Sequence, residues 1–231
     1  SLPTRIKETI FHNLQLYINW KISPGEFSQM LYPPAANAPF LHKRLLRKPV
    51  FGKLINQKLP QPKTIPAAKK MQLIATARAN LALLYRETEP FTYADPAEIT
   101  CFEMERGLTI VLYCMDPERR LSIESYIGYL AFKNGIPVAY GGGWIFGSRC
   151  QFGINILPAF RGGESALIFY QLLRVYRQYF NAKRFVVKPY QFGKNNKEAL
   201  RSGAFWFYYK AGFRPAEESL RHMAAVEWEK K

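Results

Sequence analysis

The fold is decided by residues 152–180, which read FGINILPAFRGGESALIFYQLLRVYRQYF. The first six residues form a short, mostly apolar run that is typical of a buried strand, and Pro158 ends it. Arg161-Gly162-Gly163 then opens the stretch Glu164–Phe180, whose crowded apolar residues predict a buried helix. A strand that passes through glycines into a helix presents unpaired N–H groups that suit a phosphate. An ordinary sharp turn explains the glycines equally well.

A second strand and a second helix follow this unit. Phe185-Val186-Val187 is a short apolar run, and a helix predicted over about 196–211 leads into Tyr208-Tyr209-Lys210-Ala211-Gly212-Phe213. The whole order, with its Arg-Gly-Gly turn between strand and helix, resembles the GNAT superfamily of N-acyltransferases over about residues 99–227. We therefore expect an α/β (α+β) fold with a mixed sheet flanked by helices. Strands 154–157 and 185–187 should be adjacent and parallel, because strand–helix–strand crossovers are right-handed and close on the same sheet.

The resemblance also implies an acyl-CoA site. In that family the turn before the helix holds the pyrophosphate, and a tyrosine at the end of the later helix stands beside the CoA sulfur. Tyr208 occupies that tyrosine position and would give a proton to the departing thiolate. Alternatively, Tyr208 is one more core aromatic in the run 205–209. The implied CoA-binding residues are Ile156, Leu157, Arg161, Gly162, Gly163, Glu164, Ser165 and Ala166.

Glu164 departs from the family pattern. It stands where the turn motif has a glycine or another small residue, so its carboxylate would lie close to the pyrophosphate and repel it. If Glu164 points away, capping the helix or pairing with Arg161 or Arg201, acyl-CoA can bind. Otherwise the donor is another ligand, such as an aminoacyl-tRNA, as in the similar Fem-type transferases. The acceptor is expected to carry an amine, whose identity the sequence does not indicate.

Carboxylates ahead of the turn are candidates for the base that deprotonates this amine. Glu124 is our choice, because it lies just before the predicted strand Tyr126–Phe132 and could face the cleft. Glu103 and Glu105 alternate with apolar residues, which predicts that they face solvent from one side of a strand.

Three consecutive glycines, Gly141, Gly142 and Gly143, lie inside the predicted strand Val138–Phe146. Glycine forms strands poorly, so the three mark either a bulge or a place where a ligand or another backbone comes close. They are candidate substrate-contact residues, with a structural bulge as the alternative.

The chain divides near Asp95-Pro96 into a helical N-terminal region, 1–96, and a GNAT-like domain, 97–231. Before this point helices are predicted from Thr4 to about Trp20, from Pro24-Gly25 to Pro33-Pro34, over 39–58 with a break at Pro49, and over Ala67–Arg86. The last should pack against the sheet through Met71, Ile74, Ala75, Ala77, Leu81 and Leu84. After Pro96 an antiparallel meander is predicted, with strands Ile99–Glu105, Leu108–Cys114, Tyr126–Phe132, Val138–Phe146 and Arg149–Leu157, and a type I′ turn at Asn134-Gly135.

The net charge of +16 indicates a polyanionic partner: nucleic acid, an anionic membrane or an acidic protein. A solvated basic face is the alternative. The densest basic stretch lies within 43–70, where its first residues alternate with leucines as in an amphipathic helix that docks on a membrane; tRNA phosphates would use the same charges. The candidate contacts are Lys43, Arg44, Arg47, Lys48 and Lys53. If the chain is not an enzyme, this region would make it a GNAT-like binding module.

The cysteines and the apolar runs of the sequence indicate the cellular compartment. The three cysteines, Cys101, Cys114 and Cys150, are widely spaced in strand-like runs and are expected to be buried thiols rather than disulfides. With three histidines and no His/Cys cluster at ligand spacing, no metal site is predicted. No apolar run approaches a membrane span and no signal peptide is visible, so we expect a cytoplasmic protein.

Overall fold

The computed structural model describes residues 2–14, 39–41, 43–123 and 125–230. Its helices are α1 (Thr4–Leu14), α2 (Phe51–Asn56), α3 (Ala67–Leu83), α4 (Glu89–Thr92), α5 (Ser165–Tyr179), α6 (Lys197–Arg201), α7 (Ala204–Lys210) and α8 (Glu218–Glu229). Its strands are β1 (Thr100–Glu103), β2 (Leu108–Tyr113), β3 (Ser125–Lys133), β4 (Ile136–Phe146), β5 (Arg149–Ile156) and β6 (Arg184–Val186).

The strands form one mixed sheet in the order β1-β2-β3-β4-β5-β6. Strands β1 to β5 are an antiparallel meander, and β6 pairs with β5 in parallel through the crossover helix α5. Asn134 and Gly135, between β3 and β4, both have positive φ (49° and 80°), as the predicted type I′ turn requires. The mixed sheet flanked by helices confirms the predicted fold class. β5 and β6 are adjacent and parallel as predicted, but they pair through residues 149–151 and 184–186, so the predicted residues 154–157 lie beyond the pairing.

Helix α5 covers one face of the sheet. Its buried Phe169, Leu173 and Tyr176 pack against the β-strands, and the ring of Tyr176 lies edge-on to that of Phe152 with centroids 5.0 Å apart. The buried side chains of α5 explain why residues 165–179 are too apolar for a surface helix.

Helix α3 covers the opposite face. Leu73, Ile74 and Leu81 are buried with Val111 and Leu130 of the sheet in a second cluster. The predicted packing of this helix is thus confirmed, but two of the residues predicted to face inward, Met71 and Ala75, are exposed. The helix faces the sheet with a different side than predicted. Its buried stripe includes Leu73 and Ala77, which places Met71 and Ala75 on the outer side.

The predicted helix over residues 39–58 is mostly wrong. Only Phe51–Asn56 is helical, and the described residues 39–41 and 43–50, which we call the strap, have no regular structure. Pro49 disfavours helical backbone in the residue before it, and the strap's main chain bonds to side chains of the sheet and of α5 instead of to itself. Leu46 N–H donates to Glu164, and Arg106 donates to the carbonyl of Arg44.

Helix α2 is tied to α5 by a fully buried arginine. Arg174 donates to the carbonyls of Gln57 (2.9 Å) and Lys58, and its guanidinium also binds Glu105 and Gln171. Gln178, one turn further along α5, donates to the carbonyl of Ile55. These bonds fix the chain after α2 against the crossover helix.

Four further predictions on element bounds are corrected or fall outside the described residues. The helix predicted over 196–211 is two helices, α6 and α7, because Gly203 has left-handed backbone (φ 69°) between them. Strand β1 ends at Glu103, since Arg106 has φ 63° in the turn to β2. The helix predicted over 4–20 is described as far as Leu14, and the helix predicted between Pro24 and Pro34 lies outside the described residues.

Candidate functional site

The edge of β5 opens where it parts from β6. The two strands pair through only three positions, Arg149 with Arg184, Cys150 with Phe185 and Gln151 with Val186. Beyond Gln151, β5 continues to Ile156 with β4 as its only partner strand in the described part of the chain. The chain after β6 does not continue the pairing and forms a short 3-10 helix at Pro189–Phe192. We call the free edge of β5, residues 152–156, and the space beside it the slot.

A glycine turn stands at the end of the slot. Gly162 and Gly163 have positive φ (79° and 50°), are exposed, and would meet no atom within 4 Å if they carried a β-carbon. The N–H of Ser165 donates a hydrogen bond to the carbonyl of Gly162 at 2.9 Å. Among the described residues, the N–H groups of Ala166 and Leu167 have no acceptor, as is usual in the first turn of a helix. The first turn of α5 therefore has two N–H groups without a partner in the described part of the chain.

The carboxylate of Glu164 points away from these N–H groups. It makes no capping bond to α5 and instead accepts hydrogen bonds from Arg106 Nε, Lys133 Nζ and Leu46 N–H, each at 2.9 Å. Burial alone would raise the pKa of Glu164, but the hydrogen bonds from Leu46, Lys133 and Arg106 outweigh it and lower the pKa to about 2. The carboxylate is therefore ionised at neutral pH and paired with two cations.

The partners predicted for Glu164 were wrong. Neither Arg161 nor Arg201 contacts it in the described structure; Arg161 pairs with Glu198 at 2.6 Å and donates to the carbonyl of Ile156 at 3.2 Å. Arg106 and Lys133 were missed because they lie on the β1–β2 turn and at the end of β3, 58 and 31 residues before Glu164. No local pattern relates such distant positions. The bonds to Glu198 and to the carbonyl of Ile156 hold Arg161 beside the end of β5.

Tyr208 is buried, with 3% of its surface exposed. Its ring lies among those of Phe169, Phe192 and Phe213, with centroid distances of 5.6 to 5.9 Å. Its hydroxyl lies 3.4 Å from Gln191 Oε1. Burial raises the pKa of Tyr208 well above the usual phenol range, so the hydroxyl stays protonated. Tyr208 belongs to the aromatic core and presents only its hydroxyl to a polar neighbour.

Gln191 connects Tyr208 to the slot. Its side-chain amide lies 3.4 Å from the position that a β-carbon would take on Gly153, inside the free stretch of β5. On the other side of β5, the hydroxyl of Tyr129 donates to the carbonyl of Gly153 at 2.9 Å. Sequence reasoning missed Gln191; the only signal was its place just after a short strand and a proline.

The three glycines of β4 make room for tyrosine rings. A β-carbon on Gly141 would come within 2.7 Å of the Tyr129 hydroxyl, one on Gly142 within 2.4 Å of the Tyr126 ring, and one on Gly143 within 2.7 Å of the Tyr176 ring. The predicted bulge is wrong here, because these glycines keep a regular register and the irregularity lies between Ala131 and Phe132. Close approach of these rings, and of the carbonyls of Gly153 and Ile127, accounts for the glycines, and contact with a substrate at them stays a prediction.

The three glutamates ahead of the turn have different surroundings. Glu124 lies outside the described residues. Glu103 is exposed and pairs with Lys63 at 2.6 Å, as a solvent-facing residue would. Glu105 instead lies in the turn after β1 and binds the buried Arg174 at 3.0 Å, so it does not simply face solvent from a strand.

The cysteines are free thiols. Burial raises the pKa of Cys101 and Cys150 to about 12 and that of Cys114 to about 11, which keeps all three protonated and unreactive. In the described ranges, no three His, Cys, Asp or Glu side chains are grouped so that they could hold a metal ion. Nor does any described helix have the length and apolar character needed to cross a membrane.

Comparison with protein-family models, with curated proteins and with solved structures finds no match. What this site does must therefore be argued from its geometry.

Proposed function

We propose that this chain is a GNAT-like N-acyltransferase that binds acyl-CoA along the free edge of β5. The observation that carries the proposal is the parting of β5 and β6 after three pairs, directly ahead of the Gly162-Gly163 turn. An extended pantetheine arm can pair with the free main-chain groups of a strand edge much as an added strand does. Its pyrophosphate then reaches the open N–H groups at the start of α5, where the helix dipole favours negative charge.

The orientation of Glu164 favours acyl-CoA over an aminoacyl-tRNA as the donor. The objection to CoA was a carboxylate beside the pyrophosphate. Because that carboxylate is paired with Arg106 and Lys133 and does not bond the first turn of α5, the turn keeps its N–H groups for a ligand. The residues that would contact the pyrophosphate are Gly162, Gly163, Ser165 and Ala166, with Arg161 beside them and Ile156 and Leu157 at the strand end.

The chemistry is the transfer of an acyl group to an amine. The amine nitrogen attacks the thioester carbonyl, the C–N bond forms as the C–S bond breaks, the amine loses a proton to a base, and CoA leaves as a thiolate that takes up a proton from water. Tyr208 would donate a hydrogen bond to the departing sulfur, because burial keeps its hydroxyl protonated and Gln191 holds it beside the slot. Glu124 remains the candidate base. The free thiols accord with action in a reducing compartment, the cytoplasm.

Replacing the tyrosine hydroxyl tests this role. Tyr208→Phe should lower kcat by about 10- to 100-fold toward a panel of amines with acetyl-CoA as donor, with little change in KM for CoA. The matched control is Tyr209→Phe, which removes the hydroxyl of a neighbouring buried tyrosine and should leave kcat unchanged. If no amine is acylated by the parent chain although acetyl-CoA binds, the chain is a binding module. If Tyr208→Phe turns over like the parent, Tyr208 serves only the core.

A further inference from the structure

The strap is held to the sheet by its main chain and not by its basic side chains. Asn134 donates to the carbonyl of Phe40 and accepts from its N–H, at 3.1 and 2.9 Å. Further along, the carbonyl of Arg44 accepts from Arg106 at 2.9 Å. The N–H of Leu46 donates to Glu164 at the same distance. The path of the strap therefore does not depend on its basic side chains.

The basic side chains of the strap do not hold it to the sheet and can bind a partner. Lys43, Arg44, Arg47 and Lys48 are all exposed, and none has an acidic or polar partner in the described part of the chain. Two large apolar side chains stand in water before and after them: Leu41 is 84% exposed and Val50 is 68% exposed. A solvated basic face would gain nothing from these apolar neighbours.

We infer that the strap docks on an anionic lipid bilayer, an interaction that goes beyond acyl transfer. Lysine and arginine are attracted to the negative surface of such a membrane, and leucine and valine beside them can enter the boundary between headgroups and acyl chains. A nucleic-acid backbone would bind the charges but offers no apolar environment for Leu41 or Val50. The mixture of exposed basic and aliphatic residues is thus better matched by a membrane than by RNA or DNA.

Helix α1 repeats the same mixture. Ile6, Ile10 and Leu14, spaced so that they share one face, are 45%, 41% and 60% exposed. Arg5 and Lys7 are exposed beside them. A helix with an uncovered apolar stripe and flanking basic residues is the form that lies in the interfacial plane of a membrane.

Vesicle sedimentation tests the inference. The parent chain should bind mixed phosphatidylglycerol–phosphatidylcholine vesicles at low salt and not pure phosphatidylcholine vesicles. The double variant Arg47→Gln/Lys48→Gln should lower the partition coefficient on the order of 25-fold, at about fivefold for each charge removed. Adding Leu41→Ser to the double variant should lower the partition coefficient about tenfold further.

A matched control removes the same charge elsewhere. Lys183→Gln/Arg184→Gln changes two exposed basic residues beyond the other end of α5, which spans about 22 Å, and should leave vesicle binding unchanged. Circular dichroism should show all variants folded, because the strap is fixed through main-chain atoms. Absence of binding to the anionic vesicles overturns the inference, as does an equal loss in the control. So does tighter binding to tRNA or duplex DNA that Arg47→Gln/Lys48→Gln weakens and Leu41→Ser does not. Acetyl-CoA binding should be the same in every variant, so failure here is separate from failure of the proposed acyl transfer.

Discussion

The main-chain N–H of Leu46 donates to the carboxylate of Glu164 at 2.9 Å, across 118 residues of sequence. This bond joins the strap to the glycine turn at the start of α5. The carboxylate of Glu164 holds the N-terminal part of the chain together with Arg106 and Lys133. The Glu164 side chain therefore links the turn to the strap, beside the bonds that Asn134 and Arg106 make to the strap.

Removing the charge of Glu164 should destabilise the protein. Glu164→Gln leaves Arg106 and Lys133 partly buried without a counter-charge, so the free energy of unfolding measured in urea should fall by about 3 kcal/mol. Glu198→Gln is the control, because Glu198 forms an exposed pair with Arg161 and should change stability by less than about 0.5 kcal/mol. Equal stability of the parent and Glu164→Gln would show that the triad does not hold the strap.

The same group predicts a pH dependence. The pKa of Glu164 is lowered from 4.5 to about 2 in the folded chain, so the folded state holds the charged form more strongly than the unfolded state does. Its stabilisation, about 3 kcal/mol, is complete above the unfolded pKa and is lost as the pH falls from about 4.5 to about 2. The difference in unfolding free energy between parent and Glu164→Gln should therefore shrink over this window. A difference that stays constant down to pH 2 would contradict the assignment.

The sheet and α5 could be predicted because their signals are local. Alternating or continuous apolar runs mark the strands, and Asn134-Gly135 and Gly162-Gly163 mark turns within a few residues of the elements they connect. The strap could not be predicted, since its leucines and basic residues have helical spacing while its main chain is claimed by Asn134, Arg106 and Glu164. Tertiary partners overrode the local pattern there.

The candidate site shows the same division. Gly162, Gly163 and Tyr208 were predicted as site residues from a motif, whereas Gln191 and the two cations that bind Glu164 follow no motif and are brought near by the fold. The three glycines of β4 were singled out from the sequence, but the choice between a bulge and a close approach could not be made there, because the atoms that crowd them come from β3, β5 and α5.

Arg174 should be irreplaceable by lysine. Its guanidinium serves two carbonyls, Glu105 and Gln171 at once, and a single ammonium cannot reach all of them. We expect Arg174→Lys to lower the unfolding free energy by about 3 kcal/mol, whereas Arg177→Lys on the exposed side of the same helix should change it by less than about 0.5 kcal/mol. Thermal or urea unfolding measures both. Comparable effects of the two changes would argue against the clamp.

Adding one methyl group at two glycines should have opposite effects. Gly141→Ala places a β-carbon 2.4 Å from the carbonyl oxygen of Gly153 and should cost about 2–3 kcal/mol. Gly52→Ala, in α2 with no atom within 4 Å of the new carbon, should stabilise by about 0.5–1 kcal/mol because alanine favours a helix. Urea unfolding of both variants measures these changes in the free energy of unfolding. A neutral Gly141→Ala would mean that β4 and β5 can separate at this point.

The central claim, that the turn before α5 binds the pyrophosphate of acyl-CoA, is tested most directly by calorimetric titration of acetyl-CoA into Ala166→Asp and Ala166→Asn. Both side chains have nearly the same size, and aspartate in the first turn of a helix preserves or raises stability through the helix dipole. Only aspartate sets a negative charge against the proposed pyrophosphate. The account predicts that the parent and Ala166→Asn bind acetyl-CoA and that Ala166→Asp binds at least about tenfold more weakly while remaining folded. Equal affinity of the two variants, or no binding by the parent, would contradict it.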